Sequence, residues 1–391
     1  MALIAIAIEP ASAVDRGPRL SATSAILVDA RDGHVLYRRR AADQRAIASA
    51  TKLMTALVAI EELPLERRVR AVRYTPAAAE SRIDLRPGER MAVSDLMRAL
   101  LLESANDAAE TLAVRAAGSE GAFVAQMNDK ARALGLDRTS FANPIGLDAP
   151  ANHASARDLA AIARRLLAND FLAATVDMPR ARLTTGARTR VVANRNRLVG
   201  RYRYVDGVKT GHTQNAGYVL VGAATRKGAR LVSVVLGAPS EAARDADTLA
   251  LLRYGFSRYR RVPVVRRGAT LAHAQVAHFG DKEARLVAGR RVSVTARRGQ
   301  RVRTVVEAPG EVSGPLPEGA RVGTVRVYRA NRLVRTVPLV TASAVPEAGF
   351  IRKVGAFVLP VLLIAAGVAI WLAVRRRRAP RVPMRRPAGA E

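Results

Sequence analysis

The chain has no cysteine among its 391 residues, so disulfides, thiolate nucleophiles and cysteine metal sites are all excluded. A cysteine-free chain can still be exported, so this absence does not fix the compartment. Its five histidines fall in no HExxH-like spacing, and no metal or other cofactor is expected. No G-x-S-x-G elbow is present, which disfavours a Ser-His-Asp hydrolase of that type. Acidic residues are few, 33 against 64 Lys and Arg, giving a net charge of +31. That excess suits nucleic acid, anionic lipid or acidic polymer. Aromatics make up only 4%, with no RNP-like strand, arginine-lined recognition helix or zinc module, so no nucleic acid partner is expected. The basic residues are spread almost throughout, and biased genome composition accounts for part of them.

The ends of the chain carry the clearest physical signals. Residues 354–374, VGAFVLPVLLIAAGVAIWLAV, hold no charge. At about 21 residues the segment is long enough to span a bilayer as a helix. Pro360 does not forbid a span, and Trp371 suits an interface. The basic segment 375–391 follows, opening with four arginines, and by the positive-inside rule it is a cytoplasmic tail. The expectation is a single-pass protein of the cell membrane with everything before the span outside. At the other end, Ala2 to Ile8 is apolar, and Ala11-Ser12-Ala13 resembles a signal-peptide cleavage site, so residues 1–13 read as a signal peptide. A charged n-region is missing and the apolar run is short.

Between the ends, the pattern of residues 20–260 mixes helix and strand. Residues 25–37 read as a hairpin turning at Asp32-Gly33. From Ser49, a stripe of Leu53, Ala56, Leu57 and Ile60 predicts a helix closed by Pro64. Residues 92–117, 119–135 and 154–169 carry helical periodicity. Residues 217–238 read as a second hairpin at Lys227-Gly228, and 245–259 return to helix. This order implies an α/β sandwich, helices covering a mainly antiparallel sheet. Residues 262–341 hold short valine-rich runs broken by Gly and Pro, the pattern of a small all-β domain. Residues 343–353 read as a linker.

Three short motifs carry the chemistry. Ser49-Ala50-Thr51-Lys52 places a hydroxyl and an amine at i and i+3, on one face if a helix begins there. Burial and a nearby cation would depress the lysine pKa and let it act as base to the serine. Alone this is a weak pattern, since a capping serine and a solvated lysine give the same letters. Ser104-Ala105-Asn106 puts a hydroxyl and a carboxamide two residues apart. The serine would relay a proton to a leaving amine, and the amide would hold a substrate carbonyl. The same cluster also suits a helix N-cap. Lys209-Thr210-Gly211, just before the second hairpin, supplies a second cation and a hydroxyl for a substrate carboxylate. Gly211 leaves room for a peptide close to the backbone. The amides of Ser49 and His212 are candidates for an oxyanion hole.

S-x-x-K, S-x-N and K-T-G in this order form the active-site set of penicillin-recognising serine enzymes. The chain resembles the D-alanyl-D-alanine carboxypeptidases among the low-molecular-weight penicillin-binding proteins. Further likeness lies in ILVDARDGHVLYRRRA, MNDKARALGL, TSFANPIGL, SARDLAAIARRLL, NRNRLVG and VDGVKTGHTQNAGYVLV. The resemblance covers about residues 20–259 and, more weakly, the β-rich segment. It implies a penicillin-binding/β-lactamase-like sandwich and removal of the terminal D-alanine from peptidoglycan stem peptides ending in D-Ala-D-Ala. β-Lactams would be covalent inhibitors. By the same resemblance Ser49 is the acylated nucleophile, Lys52 its base and Ser104 the third catalytic residue. Asn106, Lys209, Thr210, Gly211 and His212 bind substrate, His212 departing from the usual pattern at the mouth of the cleft. The residues leave open a D,D-endopeptidase that cuts cross-links, and a non-catalytic scaffold that binds wall polymer. A β-lactamase is less favoured, because no carboxylate for fast deacylation is assignable.

Overall fold

The computed structural model describes residues 3–6, 17–76 and 80–377; for residues 3–6, 351–353, 355–360 and 376–377 it describes the backbone alone. The chain divides into two units, Ala11–Arg260, and Met1–Pro10 with Arg261–Glu391.

The first unit is built on a five-stranded antiparallel sheet in the order Val35–Arg39, Ser24–Asp29, Ala229–Ala238, Gly217–Arg226, Val205–Thr213. Alternation along its strands separates two faces. Ile26, Val28, Val219, Val221, Val232 and Val234 enter the larger core, whereas Ala25, Leu27, Leu220, Leu231 and Val235 enter a second core with Leu251 and Leu252. Both faces are covered, which is why these strands read as continuous apolar runs rather than as alternating ones. The turn at Lys227-Gly228 has positive φ at both residues, as a tight hairpin requires. With helices on a mainly antiparallel sheet, the sandwich expected from the sequence is the one observed.

Among the described residues, seven α-helices belong to this unit: α1 (Lys52–Glu62), α2 (Val93–Arg98), α3 (Asn106–Ala117), α4 (Glu120–Ala133), α5 (Ala156–Leu166), α6 (Asp170–Val176) and α7 (Glu241–Ser257). In α1 every residue from Lys52 to Ala59 is buried, because the helix is packed among α3, α4 and α5. The expected one-sided stripe is therefore an all-round apolar surface, interrupted by Lys52 and Thr55. The single periodicity over residues 92–117 is divided in the structure. After α2 comes one π-turn, Ala99–Glu103, then Ser104 at φ +66°, and α3 restarts at Asn106. The core pattern survives this break because Leu96, Leu100, Leu101, Ala108 and Leu112 all stay in one core. π-Turns of this kind are common where a helix carries function. Helix α7 begins earlier than its apolar pattern indicates, capped by Ser240 Oγ on the Ala243 amide at 3.1 Å, and Tyr259 already lies in the next strand.

The second unit holds a seven-stranded sheet in the order Leu3–Ile6, Val302–Glu307, Arg321–Arg329, Arg332–Thr341, Glu283–Ala288, Thr270–Val276, Glu311–Val312. Its core is largely valine, with Leu286, Leu339 and small alanines, in keeping with a small all-β domain. Of the segment 1–13 read as a signal peptide, Leu3–Ile6 is a strand paired antiparallel to Val302–Glu307; residues 1–2 and 7–13 lie outside the described residues. The last helix, α8 (Phe350–Arg377), contains the apolar segment 354–374, and its side chains from Val361 to Val374 include many exposed apolar ones. Among the described residues no helix is long and apolar enough to cross a membrane. The side chains of residues 355–360 and the basic tail beyond residue 377 lie outside the described residues.

Candidate active site

The nucleophile candidate stands in a tight turn. Residues Ala48–Thr51 form a 3₁₀ turn that feeds directly into α1. Side chains at i and i+3 eclipse in such a turn, so Lys52 lies over Ser49. The distance from Lys52 Nζ to Ser49 Oγ is 3.0 Å. Lys52 is wholly buried and Ser49 half-buried. Burial, reinforced by the charge of Lys209 and opposed by Glu80, holds the Lys52 amine well below the ordinary lysine value. A neutral amine in this position has a lone pair available for the serine proton.

A loop with no motif of its own completes this arrangement. Lys52 Nζ also donates to the carbonyl of Ile145. Thr55 Oγ1 donates to the carbonyl of Pro144 at 2.6 Å, and Asn143 Oδ1 accepts from the amides of Gly146 (2.7 Å) and Leu147 (3.1 Å). Gly146 has φ +89°, and a Cβ there would overlap the carbonyl of Ala48. Residues 143–147 are thus clamped against the start of α1. The acceptor they present is a main-chain carbonyl, which leaves no mark in side-chain identity.

Lys209, Thr210 and Gly211 lie on the edge strand Val205–Thr213, all three buried. Lys209 Nζ donates to the carbonyl of Thr210 at 3.0 Å. Burial and the charges of Arg195 and Arg244, opposed by Glu103, bring Lys209 down to about 7. A Cβ on Gly211 would stand 3.0 Å from the Ser49 nitrogen. The Ser49 amide therefore lies beside the backbone that carries the His212 amide. The His212 side chain is exposed and packs on Tyr218, with ring centroids 4.1 Å apart. Nothing in the sequence marks Arg244 and Arg195, two arginines among many. The Arg244 side chain is nearly buried between Glu241 and Asp245, at 3.1 and 2.8 Å. Arg195 pairs with Glu103, with Nε at 2.9 Å from Oε1.

The second motif sits on the break between helices. The π-turn before Ser104 packs against both α1 and the edge strand, the elements that carry the other two motifs. Ser104 and Asn106 are buried. The N-cap of α3 is Ala105, with no side-chain cap, so this cluster does not serve as a helix cap. Instead Asn106 Nδ2 donates to Glu80 Oε2 at 2.7 Å. The neighbouring Asp107 carboxylate accepts the amides of Ile83 and Leu85 at 3.2 and 3.0 Å. Glu80 lies 26 residues before Asn106, too far for local spacing to reveal it. Among the described residues no three His, Cys, Asp or Glu side chains gather as a metal-binding set.

With this geometry in place, comparison with known proteins is direct. Residues 11–240 match the peptidase family described as D-alanyl-D-alanine carboxypeptidase, and residues 259–347 match the C-terminal domain of penicillin-binding protein 5. The chain is 32% identical to D-alanyl-D-alanine carboxypeptidase DacF of Bacillus subtilis over 339 residues, 84% of this chain and 87% of the relative. It is 34% identical to DacC of Escherichia coli over 359 residues, 88% of each chain. The solved penicillin-binding protein 5 of Haemophilus influenzae superimposes with a TM-score of 0.59 at 27% identity, covering 85% of this chain and 99% of that one. Motifs, fold and relatives agree: the chain belongs to the D-alanyl-D-alanine carboxypeptidase family.

Proposed function

We infer that the protein is a serine-type D,D-carboxypeptidase that removes the terminal D-alanine from peptidoglycan stem peptides through an acyl-enzyme on Ser49. The observation that carries this reading is the buried Lys52 amine 3.0 Å from Ser49 Oγ, with a second buried amine, Lys209, acting on it. In this reading neutral Lys52 takes the Ser49 proton as Oγ attacks the penultimate D-alanine carbonyl. The amides of Ser49 and His212 receive the developing oxyanion. Ser104 passes a proton to the leaving amine as the peptide bond breaks and free D-alanine departs. Water then adds to the acyl carbonyl and returns the Ser49 hydroxyl. Asn106 holds a substrate amide. Lys209, with Thr210 and Gly211 and with Arg244 near by, receives the terminal carboxylate, which in turn favours the protonated form of Lys209. Penicillins would acylate the same serine.

The uncharged segment 354–374 and the arginines after it support a membrane anchor with the catalytic unit on the extracytoplasmic side. Carbonate extraction of membranes tests this, and full release into the soluble fraction would contradict it. The activity itself is tested by incubating the protein with a pentapeptide ending in D-Ala-D-Ala and with a cross-linked dimer. Stoichiometric release of D-alanine from the pentapeptide, faster than cleavage of the dimer, is the expected result. Preferential cleavage of the dimer would make the protein a D,D-endopeptidase.

A further inference from the structure

The Asn106 carboxamide is held from outside the three motifs. Its Nδ2 donates to Glu80 Oε2 at 2.7 Å, and the Tyr74 hydroxyl donates to the same oxygen. The Asn106 main-chain amide donates to the Ser81 carbonyl at 2.8 Å, and the Asp107 carboxylate holds the amides of Ile83 and Leu85. Residues 80–85 are thus a strap tied to the start of α3 at several points, and it brings a carboxylate against the second motif. An ionised carboxylate only accepts hydrogen bonds, so it decides which end of the carboxamide is nitrogen. The Asn106 side chain also hydrogen-bonds Tyr74, so Glu80 and Tyr74 together hold the carboxamide. The charge on Glu80 also reaches Lys52, opposite in sign to that of Lys209 on the edge strand. Burial and the hydrogen bond to Glu80 push the Tyr74 phenol up, so Tyr74 remains a neutral donor to the carboxylate. Glu110, further along α3, also acts on Tyr74.

We propose that Glu80 is a positioning residue of this site: its carboxylate orients the Asn106 carboxamide for substrate and sets one negative charge against the Lys52–Lys209 pair. The proposal rests on the roles given above to Lys52 and Asn106. It separates two contributions that substitution can distinguish. Glu80→Gln keeps an acceptor for Asn106 Nδ2 but removes the charge. Glu80→Ala removes both.

The acid limb of kcat/KM reports the group that must be deprotonated in the free enzyme. A negative charge favours protonated Lys52, so its removal moves that limb to lower pH. In Glu80→Gln the acid limb, measured on pentapeptide and as the rate of penicillin acylation, is expected to fall by roughly half a pH unit or more. Glu80→Ala is expected to show the same displacement and, in addition, a plateau lowered by roughly tenfold, the scale set by a misplaced orienting group. That extra loss is absent when Asn106 is already alanine, because the two residues act as one unit. Acid limbs that superimpose for the wild type and Glu80→Gln overturn the proposal, as does a wild-type plateau in Glu80→Ala. Glu80→Gln retains the hydrogen bond and keeps the test valid if the alanine variant fails to fold. Should the wild type take no penicillin on Ser49, the failure belongs to the site assignment; should it acylate while the profiles coincide, the failure belongs to Glu80.

Discussion

Gly146→Ala probes how the nucleophile's surroundings are held. The residue sits at φ +89°, and an added Cβ would overlap the Ala48 carbonyl, one residue before Ser49. The left-handed backbone costs about 1–2 kcal/mol for an alanine. Overpacking of a rigid contact adds about 1–3 kcal/mol. For a domain of this size the sum lowers Tm by roughly 5–15 °C. Relief of the overlap requires the loop 143–147 to move away from the 3₁₀ turn, which takes the Ile145 carbonyl from Lys52. A shift of about 1 Å in such a group slows acylation by roughly 10–100-fold. Gly135→Ala is the matched control: φ is +66° and nothing stands within 4 Å of the added Cβ. Only the backbone cost applies there, about 1 kcal/mol, with no effect on acylation. Thermal unfolding and stopped-flow acylation by a fluorescent penicillin measure both quantities. Equal losses of Tm in the two variants, with wild-type acylation in Gly146→Ala, would refute the reasoning.

Two further predictions concern titration. Lys209 is held down to about 7 in the free protein, so raising the pH through that value removes the cation proposed for the substrate carboxylate. KM for pentapeptide is expected to climb above about pH 7, by at most about tenfold per unit, and Lys209→Arg should abolish the climb; a flat wild-type profile contradicts the assignment. Glu89 is buried; burial alone would raise its pKa, but two hydrogen bonds from Arg190 and the amides of Ala187 and Arg86 outweigh this and hold it at about 2. Its folded value is depressed, so its stabilisation is present above the ordinary value near 4.5 and fades as pH falls toward 2. Glu89→Gln should cost about 3–5 kcal/mol at neutral pH and flatten the acid loss in urea midpoints; an unchanged acid slope would be the contrary result.

Much of this protein was legible from sequence because its signals are local. The hairpin at Lys227-Gly228 carries its turn in two residues, the one at Asp32-Gly33 closes through a longer loop between Asp29 and Val35, and strands such as Ala229–Ala238 announce their burial by composition. Ser49 and Lys52 are close in sequence and meet in space; the spacing permits the contact, and the two later motifs in order give it weight. What escaped was either non-local or main-chain. The break at Ser104 is hidden because the core positions on both sides keep one face. The Ile145 carbonyl has no side-chain signature. Arg244 acts on Lys209 across a separation of 35 residues, in a chain where arginine is too common to be informative. Glu80 becomes visible only when the strap folds back on α3.

The central claim, that Ser49 is the acylated nucleophile, is tested most directly by mass spectrometry of the intact and digested protein after exposure to penicillin. The account predicts a single covalent adduct carried on the peptide containing Ser49, absent in Ser49→Ala. It also predicts an adduct that forms far more slowly when Lys52 is replaced by Met. An adduct on Ser104 or elsewhere, or its persistence in Ser49→Ala, would contradict it.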